Sequence, residues 1–323
     1  MSSRIMSEGN TGRAIPSGKI NIVLRTSESA PSGVEADLQS TSVKLSSAPG
    51  GTTELFESFN HLVGLNHVKA LLFEVYALLQ VGQFRADAGL QATSQVYHMV
   101  FKGNPGTGKT TVARLVAKLF QQMGVLTKGH LVEVERADLV GEYIGHTALK
   151  TRELIKRALG GILFIDEAYS LARGGEKDFG KEAIDTLVKA MEDYKNQFVL
   201  ILAGYPEEMD YFMQTNPGLP SRFPVHLDFP DYSVEQLMQI ADTLVQEREY
   251  SFHPQAIFRL RQQIMQEKLG SEDVFSNARF VRNIVEKAIR QQAVRLLHHH
   301  LGNPSKQELI LIRPEDLNWD KKK

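Results

Sequence analysis

One run of residues carries the first chemistry in this chain: Gly103-Asn104-Pro105-Gly106-Thr107-Gly108-Lys109-Thr110, followed by Thr111. Glycines at 103, 106 and 108 let backbone N–H groups crowd around a polyphosphate without Cβ clashes. Lys109 brings a full positive charge to the outer phosphates, and the Thr110 hydroxyl is an oxygen donor for Mg2+. A second candidate is Ile162-Leu163-Phe164-Ile165-Asp166-Glu167, an apolar strand ending in two carboxylates. Asp166 falls at the strand exit, where open α/β sheets bind their ligands, and is placed to hold the Mg2+ shell. Glu167 is placed to orient or deprotonate an attacking water. The plainer readings are a structural glycine turn and a pair of solvated acids.

These residues need a scaffold, and the flanking pattern predicts one. VYHMVF (96–101) reads as a buried strand leading into the glycine loop. Val112, Leu115, Val116, Leu119, Phe120 and Met123 then recur at helical spacing, so the loop joins a strand to a helix as the motif requires. Val68, Leu71, Leu72, Val75, Leu78 and Leu79 mark an earlier helix, and Ile184, Leu187, Val188 and Met191 a later one. LVEVE (131–135), ILFI (162–165) and FVLILA (198–203) are further strands. Such alternation predicts a mostly parallel sheet with helices on both faces.

Near DFPDYS (228–233) the strands are expected to stop. Three helical patterns follow: Leu237, Ile240, Ala241, Leu244; Ile257, Leu260, Ile264; and Val281, Ile284, Val285, Ala288, Ile289. A short apolar run, LILI, closes at 309–312. The expected domains are 1–52, a mobile segment with one strand-like run at KINIVLR (19–25); 53–229, the α/β domain; and 230–323, a small helical domain. His298-His299-His300 lies at a helix end without carboxylates at ligand spacing, and reads as a basic helix C-terminus rather than a metal site.

Composition removes several functions. The chain has 323 residues, a net charge of −1 and no cysteine. A general pull on nucleic acid or anionic membrane is not expected, nor are disulfides, thiolate metal sites or a cysteine nucleophile. No apolar run approaches the length of a membrane span, and the N-terminus lacks a signal-peptide core, so a cytoplasmic protein is expected.

GNPGTGKT (103–110), ILFIDEAYSL (162–171), NPGLPSRF (216–223) and NARFVRN (277–283), in this order, resemble an AAA+ ATPase. The resemblance covers residue 54 to the end. It is to the family of the red-type rubisco activase CbbX and stage V sporulation protein K, with the stretch 128–193 most like the sporulation branch. It implies a P-loop NTPase fold: a parallel five-stranded sheet flanked by helices, then a helical lid. It implies ATP and Mg2+ as cofactors, and a homo-oligomeric ring, a hexamer, that remodels a client protein through an axial pore in spore maturation. The alternatives are a rubisco-activase-like factor, or a nucleotide-dependent switch that assembles without threading. Nothing in the residues names the client.

By the same resemblance, Val63 and Gly64 of LVGL (62–65) cup the adenine. Arg222 matches the arginine finger, which acts on a neighbouring subunit's nucleotide. Arg279 matches sensor 2, with Arg282 the runner-up. At the sensor 1 position the chain reads Ala203-Gly204-Tyr205, so Tyr205 is either a water-orienting group or a packing residue. Tyr143-Ile144-Gly145 matches the first pore loop, whose aromatic face grips peptide without sequence demands. ARGGEKDFGKEA (172–183) is either a second pore-facing loop or a solvated one.

Overall fold

The structure, a computed structural model, describes residues 58–59, 61–91, 96–143, 145–174, 178–270, 274–299 and 303–317. The strand-like run at 19–25 lies outside them. Residues 54–323 form one compact unit. It opens with α1 (Asn66–Asp87), followed by β1 (Met99–Gly103), α2 (Lys109–Gln122), β2 (Leu131–Val134) and α3 (Arg136–Leu139). Next come α4 (His146–Ala158), β3 (Ile162–Ile165), α5 (Gly180–Asp193), β4 (Val199–Gly204), α6 (Pro206–Thr215) and β5 (Val225–Phe229).

The five strands form one parallel sheet in the order β2-β3-β4-β1-β5. β3 and β4 are buried along their whole length, as continuous apolar runs in a sheet covered on both faces should be. The order decides where the chemistry meets. β4 lies between β1 and β3, pairing Lys102 with Gly204 on one side and Ile165 with Leu202 on the other. The loop after β1 and the acid pair after β3 therefore flank the end of β4. Phe101 fastens the central layer, its ring 5.0 Å from Phe229 and edge-on to Phe164 at 6.4 Å.

Three details differ from the sequence pattern. β1 begins at Met99 rather than Val96, because Val96 and Tyr97 are half-buried and make no ladder pair, while His98 takes the Leu200 N–H on its Nδ1 at 2.9 Å. Leu78, expected on the buried face of α1, is exposed; Val68, Leu72, Val75 and Tyr76 carry the burial. Strands also do not stop at 229. β6 (Ser251–Phe252) and β7 (Leu311–Ile312) pair in parallel within the helical part, two residues each, too short to show a period of two.

That helical part holds α7 (Val234–Gln246), α8 (Pro254–Gly270), α9 (Asn277–His299) and α10 (Lys306–Ile310). Ser233 and Gln236 cap α7 reciprocally, and Ser305 and Glu308 do the same for α10. Leu237, Ala241, Leu260, Ile264, Val281 and Val285 form its buried centre. Arg295 forks onto the buried Asp316 through bonds of 2.8 and 2.9 Å. α9 runs on to His299, and His300 lies outside the described residues.

Candidate active site

The glycine loop leaves β1 at Gly103 and enters α2 at Lys109. Gly106 and Gly108 have φ of +71° and +99°, backbone that an L side chain resists. Space is equally restrictive: a Cβ on Gly103 would come within 2.5 Å of the Phe229 carbonyl oxygen, and one on Gly106 within 2.2 Å of that of Ser276. The Lys109 ammonium donates to the carbonyls of Gly103 (2.7 Å) and Asn104 (3.0 Å), so it hangs over the loop. Its pKa lies below the usual lysine value, chiefly through burial; Asp166 opposes the fall, Arg279 adds to it and Glu167 opposes it.

A cleft of about 450 Å³ opens over this loop. Gly103, Pro105, Gly106, Gly108, Lys109, Thr110 and Thr111 line it from the loop side, Asp166 and Glu167 from the end of β3. Glu167 has φ +47°, strained for a non-glycine residue, and its N–H bonds the Asp166 carboxylate at 3.0 Å. Val63 contributes apolar wall, and Arg279 and Arg282 enter from the first turns of α9. Tyr205, at the end of β4, lines the cleft too, with its ring 5.9 Å from that of Tyr169, so both readings of it have a physical basis. Burial and Glu167 push the Tyr169 phenol up to about 12, and the Arg173 guanidinium lies 4.5 Å from the ring centre.

Some expected residues stand off the cleft wall. A Cβ on Gly64 would meet the Gln236 amide at 2.6 Å, so Gly64 is the close approach of the 62–65 turn to α7. The Asn104 amide faces Asp231 (3.0 and 3.1 Å), and the buried Thr107 hydroxyl bonds the Asn104 carbonyl at 2.7 Å. Arg222 lies in a separate recess, paired with Glu192 and donating to the Gly218 carbonyl at 2.7 Å. No atom of its own chain's cleft is among those partners. Tyr143 is 65 % exposed, its ring edge-on to His146 at 5.4 Å. Gly145 caps α4 with φ +81°, while Ile144 lies outside the described residues. In the 172–183 stretch, Asp178 is tied to Arg136 at 2.6 Å and accepts the Gly180 N–H at 2.8 Å where α5 begins, and 175–177 are outside the described residues.

Other cleft residues escaped the motif reading. Ile240, Thr243 and Leu244 of α7, Glu247 just after it, and Tyr232 before it also line the cleft. Ile240 and Leu244 were visible only as part of an ordinary helical stripe.

A parallel sheet with a glycine loop at one strand end, an acid pair at another and a helical lid closing over both defines a P-loop ATPase of the AAA class. Residues 99–231 match the "ATPase family associated with various cellular activities (AAA)" and residues 233–323 the AAA lid domain. The chain belongs to the AAA ATPases. It is 55 % identical over 305 residues to stage V sporulation protein K of Bacillus subtilis (strain 168), covering 93 % of this chain and 94 % of that protein. It is 45 % identical to protein CbbX of Cereibacter sphaeroides, over 83 % of this chain and 86 % of that one. The chloroplastic ribulose bisphosphate carboxylase/oxygenase activase of Cyanidioschyzon merolae is 44 % identical, over 79 % of this chain and 87 % of that one. The FIGL-1 AAA domain, solved in complex with ADP, shares the fold with a TM-score of 0.53 at 18 % identity, over 79 % of this chain and 80 % of that one.

Proposed function

We propose that this ATPase works as a homo-oligomeric ring, a hexamer, that pulls on or loosens an exposed segment of a client protein through its axial pore, in spore maturation. Residues 53–229 are the nucleotide-binding domain and 230–323 the lid. The observation that carries the reading is the position of Arg222. Phosphoryl transfer needs charge stabilisation on the γ-phosphoryl oxygens, and this arginine lines a separate recess, paired with Glu192, rather than its own chain's cleft. Docked against a neighbour, it completes that neighbour's site.

In each site the loop N–H groups, the α2 N-terminus and Lys109 hold the phosphates. Val63 supplies the apolar contact to the adenine, and Gly64 shapes the turn that carries it. Glu167 takes a proton from water as its oxygen attacks the γ-phosphorus; the bond to the β–γ bridging oxygen breaks, and ADP leaves with that oxygen. Arg279, or Arg282 as the runner-up, senses the γ-phosphate from the lid. Thr110 and Asp166, which both line the cleft, offer hard oxygen donors that suit Mg2+, which would neutralise phosphate charge there. Tyr143-Ile144-Gly145 is the client-gripping loop; the exposure of Tyr143 supports this.

Higher identity to the sporulation protein than to the rubisco activases favours spore maturation over enzyme repair. The test is steady-state Mg-ATP turnover against protein concentration, for wild type and Arg222→Ala. A specific rate that climbs with concentration and collapses in the variant supports the shared site. A rate independent of concentration and of Arg222 removes the ring and the pore together.

A further inference from the structure

The back of the phosphate loop carries an arrangement that the reaction scheme above does not use. A loop that aims its N–H groups at phosphates must turn its carbonyl oxygens the other way, and buried carbonyls need donors. Every carbonyl from Gly103 to Thr107 has one. Lys109 serves Gly103 and Asn104, with Thr107 also on Asn104. The other three are served from outside the loop: Pro105 by the Asn277 amide (3.4 Å), Gly106 by the Ala278 N–H (3.1 Å) and Thr107 by the Tyr232 hydroxyl (3.0 Å). Tyr232 lies in the 230–233 linker that leads into α7, and Asn277 and Ala278 begin α9.

Asn277 is the centre of this arrangement. It is 0 % exposed and holds φ +47°, a conformation asparagine tolerates better than most residues. Its Oδ1 accepts the Tyr232 N–H at 3.0 Å. Its Nδ2 faces Asp231 (2.7 Å), Phe275 O (3.0 Å) and Pro105 O (3.4 Å), so the amide orientation is set by the network. Asp231 in turn takes both oxygens to Asn104. The amide thus ties the loop, the 230–233 linker and the lid helix at one buried point. Burial pushes the Tyr232 phenol up to about 12, so its hydroxyl stays a donor. The same first turns of α9 present Arg279 and Arg282 to the front of the cleft.

We propose that Asn277 and Tyr232 are positioning residues that make the shape of the phosphate loop depend on where the lid helix sits. A lid helix displaced from this position withdraws the Asn277 and Ala278 donors from the loop carbonyls and releases the Asn277 bond that holds Tyr232, the third donor, in place. The loop then loses the conformation that presents its N–H groups to the phosphates. Lid position thereby sets how tightly nucleotide is held, and by reciprocity bound nucleotide holds the lid. This concerns the ATPase site of a single chain and stands whether or not a ring forms.

The test is ADP binding by titration calorimetry with the full chain, for wild type, Tyr232→Phe, Asn277→Ala and Asp316→Asn. Asp316 bonds Arg295 and the Arg313 N–H at the other end of the lid and none of the loop carbonyls. Tyr232→Phe removes one hydroxyl and is expected to weaken ADP about 5-fold; Asn277→Ala is expected to weaken it about 10-fold or more. KM for ATP should rise by similar factors while kcat changes less. Asp316→Asn should melt at a lower temperature and bind ADP as wild type does. Hydrogen exchange adds the reciprocal readout: ADP should slow exchange of the Ala278 amide in wild type and not in Asn277→Ala. ADP affinity within 2-fold of wild type in Tyr232→Phe and Asn277→Ala overturns the proposal. So does an equal loss in Asp316→Asn. If Asn277→Ala does not fold, Tyr232→Phe against Asp316→Asn decides.

Discussion

Lowering the pH should strip stability from the nucleotide-binding sheet through one residue, His98. Its side chain is 4 % exposed, between the rings of Phe198 (5.7 Å) and Phe223 (6.0 Å), and its Nδ1 accepts the Leu200 N–H at 2.9 Å. Burial depresses its pKa from 6.5 to about 4. The unfolded chain therefore takes up this proton first as the pH falls. Stability from the neutral ring is fully present above the unfolded value of 6.5 and is lost as the pH drops toward 4. The gap between 6.5 and about 4, at 1.36 kcal/mol per unit, corresponds to about 3 kcal/mol, of which about 2.5 kcal/mol is gone by about pH 4.5. Protonation also removes the acceptor from the Leu200 N–H, which joins the start of β4 to the residue before β1. The assay is urea unfolding of wild type and His98→Asn between about pH 7.5 and pH 4.5. Asparagine keeps an acceptor near the Nδ1 position and cannot titrate. The variant is less stable at neutral pH, and its deficit should shrink by about 2.5 kcal/mol across that range, since every other group cancels in the difference. A deficit that stays constant with pH would refute the burial argument for His98.

Glu167→Gln should retain ATP binding and lose about 10²-fold or more in turnover, read by single-turnover hydrolysis. If the protein were an assembly switch without threading, that variant would still support client function; a remodelling motor would not. Tyr143→Ala should abolish the increase in ATP turnover caused by an unfolded polypeptide, with Tyr143→Phe keeping most of it; an increase retained in the alanine variant removes the gripping role. Asp178→Asn should cost about 1–3 kcal/mol in thermal unfolding. Burial works against the Asp178 carboxylate, but the hydrogen bonds from Arg136 and the Gly180 N–H outweigh it and hold its pKa below the usual value. That contribution is present above the ordinary carboxylate pKa and is lost as the pH falls through the depressed one, so the variant's deficit should be full at neutral pH and fade in acid.

The local parts of this protein were determined by the sequence alone. The loop at 103–110 is legible because its glycines, lysine and threonine must be contiguous, and because a strand and a helix must flank it. The acid pair at 166–167 is legible for the same reason, and so is the alternation that predicts a parallel sheet. Arg222, Arg279 and Tyr143 are not legible in that way. Their residue types are ordinary on a surface, and only the family resemblance marked them.

Tertiary structure decided what depends on distant segments meeting. The order β2-β3-β4-β1-β5 puts Tyr205 between the loop and the acids, and no spacing in the chain contains that information. α7 supplies a cleft wall from residues that read as any amphipathic stripe. Arg222 turns out to face Glu192 rather than its own cleft. The Tyr232 hydroxyl reaches a carbonyl 125 positions away, and the Asn277 amide one 172 positions away. Such bonds leave no periodic trace, because a single buried donor needs only the right side chain at one point. It is the folding of the lid onto the loop, through packing of whole elements, that brings donor and acceptor together.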